Sequence, residues 1–278
     1  MKNKPTNPKK TFLDKFFIKL IRKFGYEVID QTNLHIPSKN LQANENLSES
    51  GKQSISIPLG KTEITRKVKS LTIIIRSYTF GDVDDSKVML DQNKKRIFDL
   101  PKIEYTLRTL KSVIKSCEIA NKSFKDVNIK IIVTDDKSSK ESLDKIDQVL
   151  KASNLKTELI NLKENEFNDQ IETIDTEGKD ISKNMISNMR NLFKSIEIAE
   201  TEDTDLFYFL EDDYIHTKEA ITEMLFTYEK ISTQLNQEIF LCPADYPYLY
   251  STINNSKIFF GNMRHWRTVN ESLITFLT

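Results

Sequence analysis

Val127-Asn-Ile-Lys-Ile-Ile-Val133, followed at once by Thr134-Asp135-Asp136-Lys137-Ser138-Ser139, is the stretch on which the fold turns. Its β-branched run reads as a strand, with a helix near residues 139–151 behind it. Upstream, residues 102–121 repeat apolar side chains at helical spacing through Ile103, Leu107, Leu110, Val113, Ile114 and Cys117. Before them Leu71-Thr-Ile-Ile-Ile75 is a second β-branched run bounded by turn-prone residues, which predicts a buried strand. Downstream, residues 157–162 read as a strand, 182–200 as a helix, 206–210 as a strand, 217–235 as a helix and 238–242 as a strand. Strands alternating with helices of this length predict βαβ units, and so an α/β domain with a mostly parallel central sheet and helices on both faces.

The domain occupies residues 67–278 on this reading, and residues 1–66 form an extension. In the extension, Phe12, Phe16, Leu20 and Phe24 lie four apart with Leu13, Phe17 and Ile21 beside them, a helical apolar face. Residues 38–56, rich in Ser, Asn, Gln and Glu, read as a linker. Residues 1–24 hold eight basic side chains against one acid, Asp14, a net +7 that leaves −7 for the rest of a formally neutral chain. Two readings of the helix stay open: an interfacial helix at 11–24 on an anionic membrane, or a helix that docks on the main domain or a partner.

Bulk composition narrows the classes. Equal numbers of basic and acidic residues, 41 each, leave no overall basic field for nucleic acid. Cys117 and Cys242 belong to no metal or disulfide pattern, so a reducing cytosol is the expected compartment, with the inner membrane face as the place of any peripheral contact. No apolar run approaches the roughly 18 residues of a membrane span, and no small-residue cleavage site follows an apolar core near the N-terminus. The six glycines form neither GxGxxG nor GxxxxGK, which counts against a dinucleotide-dependent oxidoreductase, a P-loop kinase and a sugar nucleotidyltransferase.

In open parallel sheets ligands bind beyond the carboxyl ends of the strands. Those ends carry Arg76-Ser77-Tyr78-Thr79, then Asp135-Asp136, then Glu211-Asp212-Asp213. Adjacent carboxylates repel unless a cation or donors sit beside them, and hard oxygen ligands suit Mg²⁺ or Mn²⁺. A turn with a helix N-cap explains Asp135-Asp136 equally well, since Ser138 and Ser139 follow. Glu211-Asp212-Asp213, directly behind an apolar strand, is harder to explain that way.

Taken in order, these stretches and Met189-Arg190-Asn191 resemble the GT-A glycosyltransferases, nearest to the large family-two-like inverting group. The likeness covers roughly residues 70 to 215. It implies a nucleoside-diphosphate-sugar donor (a UDP- or GDP-sugar), a glycan acceptor and Mn²⁺ or Mg²⁺. Carried over position by position, it implies that Ser77 and Tyr78 line the nucleotide pocket and that Asp135 contacts the base with Asp136 in support. Arg190 and Asn191 would lie near the nucleotide or diphosphate. Glu211, Asp212 and Asp213 would form the acidic motif, with Asp213 the chief metal ligand. Three positions depart from the family pattern: Arg76 where Pro is usual, Lys137 where Gly is usual, and Glu211 where Asp is commoner.

An inverting transfer also needs a base for the acceptor hydroxyl. Asp245, in Pro243-Ala-Asp-Tyr-Pro247, is the preferred residue and Glu271 the other. In Arg264-His265-Trp266-Arg267, His265 is a further metal candidate, Trp266 a stacking surface for a sugar, and the arginines phosphate grips. A degenerate, non-catalytic binding domain is the alternative from outside the enzymes.

Overall fold

A computed structural model describes residues 11–26, 63–79, 100–174, 178–250, 255–271 and 274–278. The polar stretch 38–56 and His35 lie outside these. The chain divides into two compact units, one holding helix α1 (Phe12–Lys23) and the other holding every described residue from Glu63 onward.

The second unit runs β1 (Ser70–Ser77), α2 (Lys102–Ser123), β2 (Asn128–Asp135), α3 (Lys140–Lys151), β3 (Lys156–Asn161), α4 (Lys183–Thr201), β4 (Leu206–Glu211) and α5 (Ala220–Leu235). Three short strands follow: β5 (Ile258–Phe260), β6 (His265–Arg267) and β7 (Phe276–Leu277). The larger sheet has the order β3-β2-β1-β4-β7, with β1 to β4 parallel and β7 antiparallel to β4.

The two faces of β1 explain why its sequence does not alternate with polar residues. Leu71, Ile73 and Ile75 join a core with Leu110 and Val113 of α2, Ile146 of α3 and Met224 of α5. Ile74 faces the other way and packs with Ile132, Phe209 and Ile198 of α4. Helices therefore cover both faces, and each such fully buried aliphatic side chain contributes roughly 1.5–3 kcal/mol of burial. Local signals set the helix starts: Ser139 caps α3 by accepting from the Ser142 N–H at 3.2 Å, and Ser182 caps α4 from Met185 at 3.2 Å.

One expected strand is reduced to a single bridge. Residues 238–242 supply only Leu241, which pairs with Leu277. The neighbour available to that segment is β7, which is two residues long, and Pro243 has no N–H to extend the ladder. Leu241 is antiparallel to β7 and β7 antiparallel to β4, so the chain leaves Leu241 toward the carboxyl edge of the sheet, as a full strand would have done.

The path of the chain also locates a crevice. From β1 it steps outward to β2 and β3 through α2 and α3 on one face. It then crosses to the far side of β1 through α4 on the opposite face, so the order reverses between β1 and β4. A reversal of this kind opens a gap at the carboxyl ends of the two strands, where ligands bind in open α/β sheets.

Candidate functional site

Arg76 and Glu211 stand at that reversal point, paired by the β1–β4 register. The Arg76 side chain is only 3% exposed and its Nη2 lies 3.2 Å from Glu211 Oε1, with a second contact at 3.3 Å to the Ile274 carbonyl. Its Nε and Nη1 are enclosed and have no hydrogen-bond partner among the described residues. Burial lowers the Arg76 pKa while Glu211 and its acidic neighbours raise it. The Glu211 carboxyl is pushed up by burial, against the pull of Arg76, with Asp213 and Asp212 adding to the rise. A buried donor left without an acceptor costs about 1–3 kcal/mol, so this arrangement opposes folding locally.

The next two carboxylates divide. Asp212 is buried: its Oδ2 accepts from Thr106 at 2.7 Å and its Oδ1 pairs with Lys102 at 2.7 Å. Asp213 is half exposed and stands 3.8 Å from the same Lys102 ammonium. The turn is held from below by a polar row on α2. Thr109 Oγ1 donates to the Asp212 carbonyl at 3.0 Å, Ser112 Oγ accepts from the His216 N–H at 3.0 Å, and Ser116 Oγ accepts from the Ile221 N–H at 3.0 Å. Thr106, Thr109, Ser112 and Ser116 recur at three- and four-residue spacing, so one helix stripe stitches the whole β4–α5 loop into place. Within that loop the His216 ring accepts or donates at 2.9 Å to Tyr208 Oη, and burial pulls its pKa down to about 4.

The turn after β2 has a different character. Asp135 is fully buried and accepts from the Ser138 N–H at 2.9 Å and the Ser138 hydroxyl at 2.6 Å. Burial raises its pKa and these hydrogen bonds counter the rise. The Ser138 hydroxyl oxygen in turn accepts from the Thr79 N–H at 2.9 Å, tying the end of β1 to this turn. Lys137 adopts φ +67°, the left-handed conformation for which Gly is suited, so the turn keeps the shape that Gly would favour despite the larger residue.

Asp136 faces Arg190. Nη1 of Arg190 lies 2.8 Å from Asp136 Oδ1 and 3.1 Å from Oδ2. Its Nε donates to the Glu166 carbonyl at 2.8 Å and its Nη2 to the Lys163 carbonyl at 2.6 Å. Both side chains are nearly inaccessible, so Arg190 braces the segment between β3 and α4 against β2 and directs its three nitrogens at protein acceptors. Asn191 Nδ2 donates to the Ser77 carbonyl at 3.0 Å, and Asn191 Oδ1 is buried without a partner among the described residues. Ser77 is buried and Tyr78 half-buried at the end of β1.

Beyond the sheet the C-terminal segment and α5 wall a cavity of about 1330 Å³, lined among others by Tyr214, Asp245, Trp266 and Glu271. Asp245 is largely exposed, accepts from Arg267 Nη2 at 3.0 Å and from the Tyr250 hydroxyl, and Arg267 lies 4.3 Å over the Tyr250 ring. The Tyr250 hydroxyl, and then Arg267, hold the Asp245 carboxyl below the usual range, which makes it a weaker base in this arrangement. Glu271 is exposed on the same cavity. Trp266 is anchored: its indole N–H donates to Glu223 Oε1 at 3.0 Å, and the N–H groups of Asn262 and Met263 donate to the same carboxylate. A Cβ on Gly261 would lie 2.2 Å from Glu223 Oε1 and 2.7 Å from Trp266 Nε1, so the clamp that fixes the β5–β6 hairpin on α5 requires glycine there.

His265 is exposed on β6 with its ring 4.9 Å from that of Phe260. Among the described residues no three His, Cys, Asp or Glu side chains converge as a metal cage, so Glu211, Asp213 and His265 are not brought together as one ligand set. Glu211 and Asp213 remain as a hard-oxygen pair flanking Asp212.

Three participants are not signalled by any motif: Arg76 as the partner of Glu211, Lys102 as the partner of Asp212 and Asp213, and the hydroxyl stripe of α2. Their trace in the sequence is a polar residue where a core position is expected, Arg76 ending an apolar strand and Thr106, Thr109 and Ser116 on the inward face of an apolar helix. No family model, curated protein or solved structure matches this chain.

Proposed function

We propose that the protein is a GT-A-like glycosyltransferase that moves a sugar from a nucleoside-diphosphate donor to a glycan or similar acceptor, assisted by Mn²⁺ or Mg²⁺. The observation that carries this reading is the group Arg76, Glu211 and Asp213 at the strand-order reversal, where Glu211 pairs with Arg76 at 3.2 Å and Asp213 is half exposed beside it. Two carboxylates suffice for a small divalent ion that takes its other ligands from water and substrate phosphate. Glu211 and Asp213 would hold it, and bound there it would neutralise the charge that develops on a diphosphate leaving group.

The chain's own side chains supply the rest of the scheme. Lys102 and Arg76 add positive charge beside the carboxylates, and the α2 hydroxyl stripe keeps the turn rigid so that Asp213 faces outward. Asp135 and Asp136 support the nucleotide side by shaping the turn, with Arg190 and Asn191 as positioning residues behind it. Asp245 and Glu271, on the wall of the large cavity, are the carboxylates that would take the acceptor proton, and inversion at the anomeric carbon goes with such a base.

Thermal unfolding against a panel of nucleoside diphosphates, with and without Mn²⁺, tests the reading, because a ligand of the folded state raises the midpoint with concentration. The expected result is stabilisation by one nucleotide that grows with Mn²⁺. No response to any nucleotide would overturn the transferase assignment and leave a domain of this sheet order with another ligand.

A further inference from the structure

We propose that α1 is an interfacial anchor that lays its apolar half into a lipid surface carrying anionic headgroups. Its twelve residues, Phe12–Lys23, turn about 100° each, which gathers Phe12, Phe16 and Leu20 into one row with Leu13 and Phe17 beside it. All five are exposed, Phe12 at 84%, and Phe24 just beyond the helix is exposed as well. Lys15, Lys19 and Arg22 fall on the remaining arc with Ile18, while Lys23 returns to the row of Phe12 and Phe16; all four basic side chains are exposed.

Three features favour lipid over a protein groove. The apolar surface covers about half the circumference and is rich in Phe, whereas helix-in-groove recognition uses a narrower strip of anchors at i, i+3/i+4 and i+7. Three of the four basic residues of the helix, Lys15, Lys19 and Arg22, lie together outside that surface, and residues 1–24 carry a net +7 while the rest of the chain carries −7, so this segment alone complements an anionic surface. The helix is about 18 Å long by its rise per residue, too short for the roughly 30 Å hydrocarbon core, and no described helix is long and apolar enough to cross a membrane. It therefore lies in the interface plane, and each basic side chain near such a surface strengthens binding by roughly fivefold. This anchor is independent of the chemistry proposed for the sheet.

Flotation of the full chain with phosphatidylcholine vesicles, and with vesicles that also contain phosphatidylglycerol, tests it at low and high salt. The expected result is retention on the anionic vesicles, weakened by salt. Replacing Phe16→Asp and Leu20→Asp together should abolish retention, and Lys15→Glu with Lys19→Glu should weaken it by roughly twentyfold or more. Unfolding midpoints equal to that of the parent chain, expected because these side chains are exposed, would separate lost binding from misfolding. Failure of the parent chain to float with anionic vesicles, or undiminished flotation of the Asp variant, would overturn the proposal.

Discussion

The turn after β2 and the turn after β4 both begin with an apolar parallel strand, both carry Asp-Asp, and both stand at the carboxyl edge of one sheet. After β2, Asp135 is consumed by the Ser138 N–H and hydroxyl, and Asp136 by the Arg190 guanidinium, so neither carboxylate is exposed. After β4, Asp212 is held by Thr106 and Lys102 while Asp213 points outward, half exposed, next to a Glu211 whose counter-charge is a buried and under-satisfied Arg76. The difference lies in what faces each turn. Ser138, three residues beyond the Asp135 it bonds, and an arginine from α4 close the first, whereas the second meets one lysine that must serve two carboxylates. The two Asp-Asp pairs thus differ in exposure: protein groups enclose the first, and the second leaves Asp213 open to solvent.

The largest effect is expected from Asp213→Ala. Sugar transfer, or metal-dependent donor hydrolysis, should fall by about 10²–10³-fold, as when a single electrostatic stabiliser is lost, while the unfolding midpoint stays put because the side chain is half exposed. Retained turnover would remove Asp213 from the site. Asp136→Asn should do the reverse. It strands the buried Arg190 charge, and denaturant unfolding should show a loss of about 3–5 kcal/mol. An Arg190→Met partner should give a double mutant well short of additive, and simple additivity would mean that the pair is not coupled.

A third test uses acidity within the β4–α5 loop. Folding lowers the His216 pKa from 6.5 to about 4, so between these values the unfolded chain binds a proton that the folded chain refuses. Stability is then complete above about pH 6.5 and declines as pH falls toward 4, by up to about 3 kcal/mol. His216→Gln should flatten that part of the urea-midpoint profile against pH, and an unaltered slope would assign the acid sensitivity to other groups. The smallest effect is expected at the first turn. Lys137→Gly relieves a left-handed backbone and should raise stability by about 0.5–1 kcal/mol in thermal unfolding, whereas a loss would mean that the Lys137 side chain contributes a contact of its own.

Much of the fold was legible along the chain. The apolar runs at 71–75, 127–133 and 206–210 became β1, β2 and β4 with no end shifted by more than two residues, and the helical spacing of 102–121 became α2. The expected strand at 238–242 was not, because strand length depends on a partner, and β7 offers it two residues. The site was legible only in part. Glu211-Asp212-Asp213 stands where the strand pattern placed it, yet nothing in the triplet says that its middle member faces α2 and its last faces out.

Local chemistry accounts for that division. Apolar periodicity, serine caps and the Asp-Lys-Ser turn act over three or four residues, so the residues themselves determined the order of elements, the parallel sheet and the edge at which the carboxylates gather. Which carboxylate is satisfied by the protein depends on groups far away in the chain. Arg190 is 54 residues from Asp136, and Thr106 is 106 residues from Asp212. Arg76 meets Glu211 only because the chain returns to the far side of β1. Tertiary structure alone brings such partners within hydrogen-bonding distance, because burial and pairing are properties of neighbours in space.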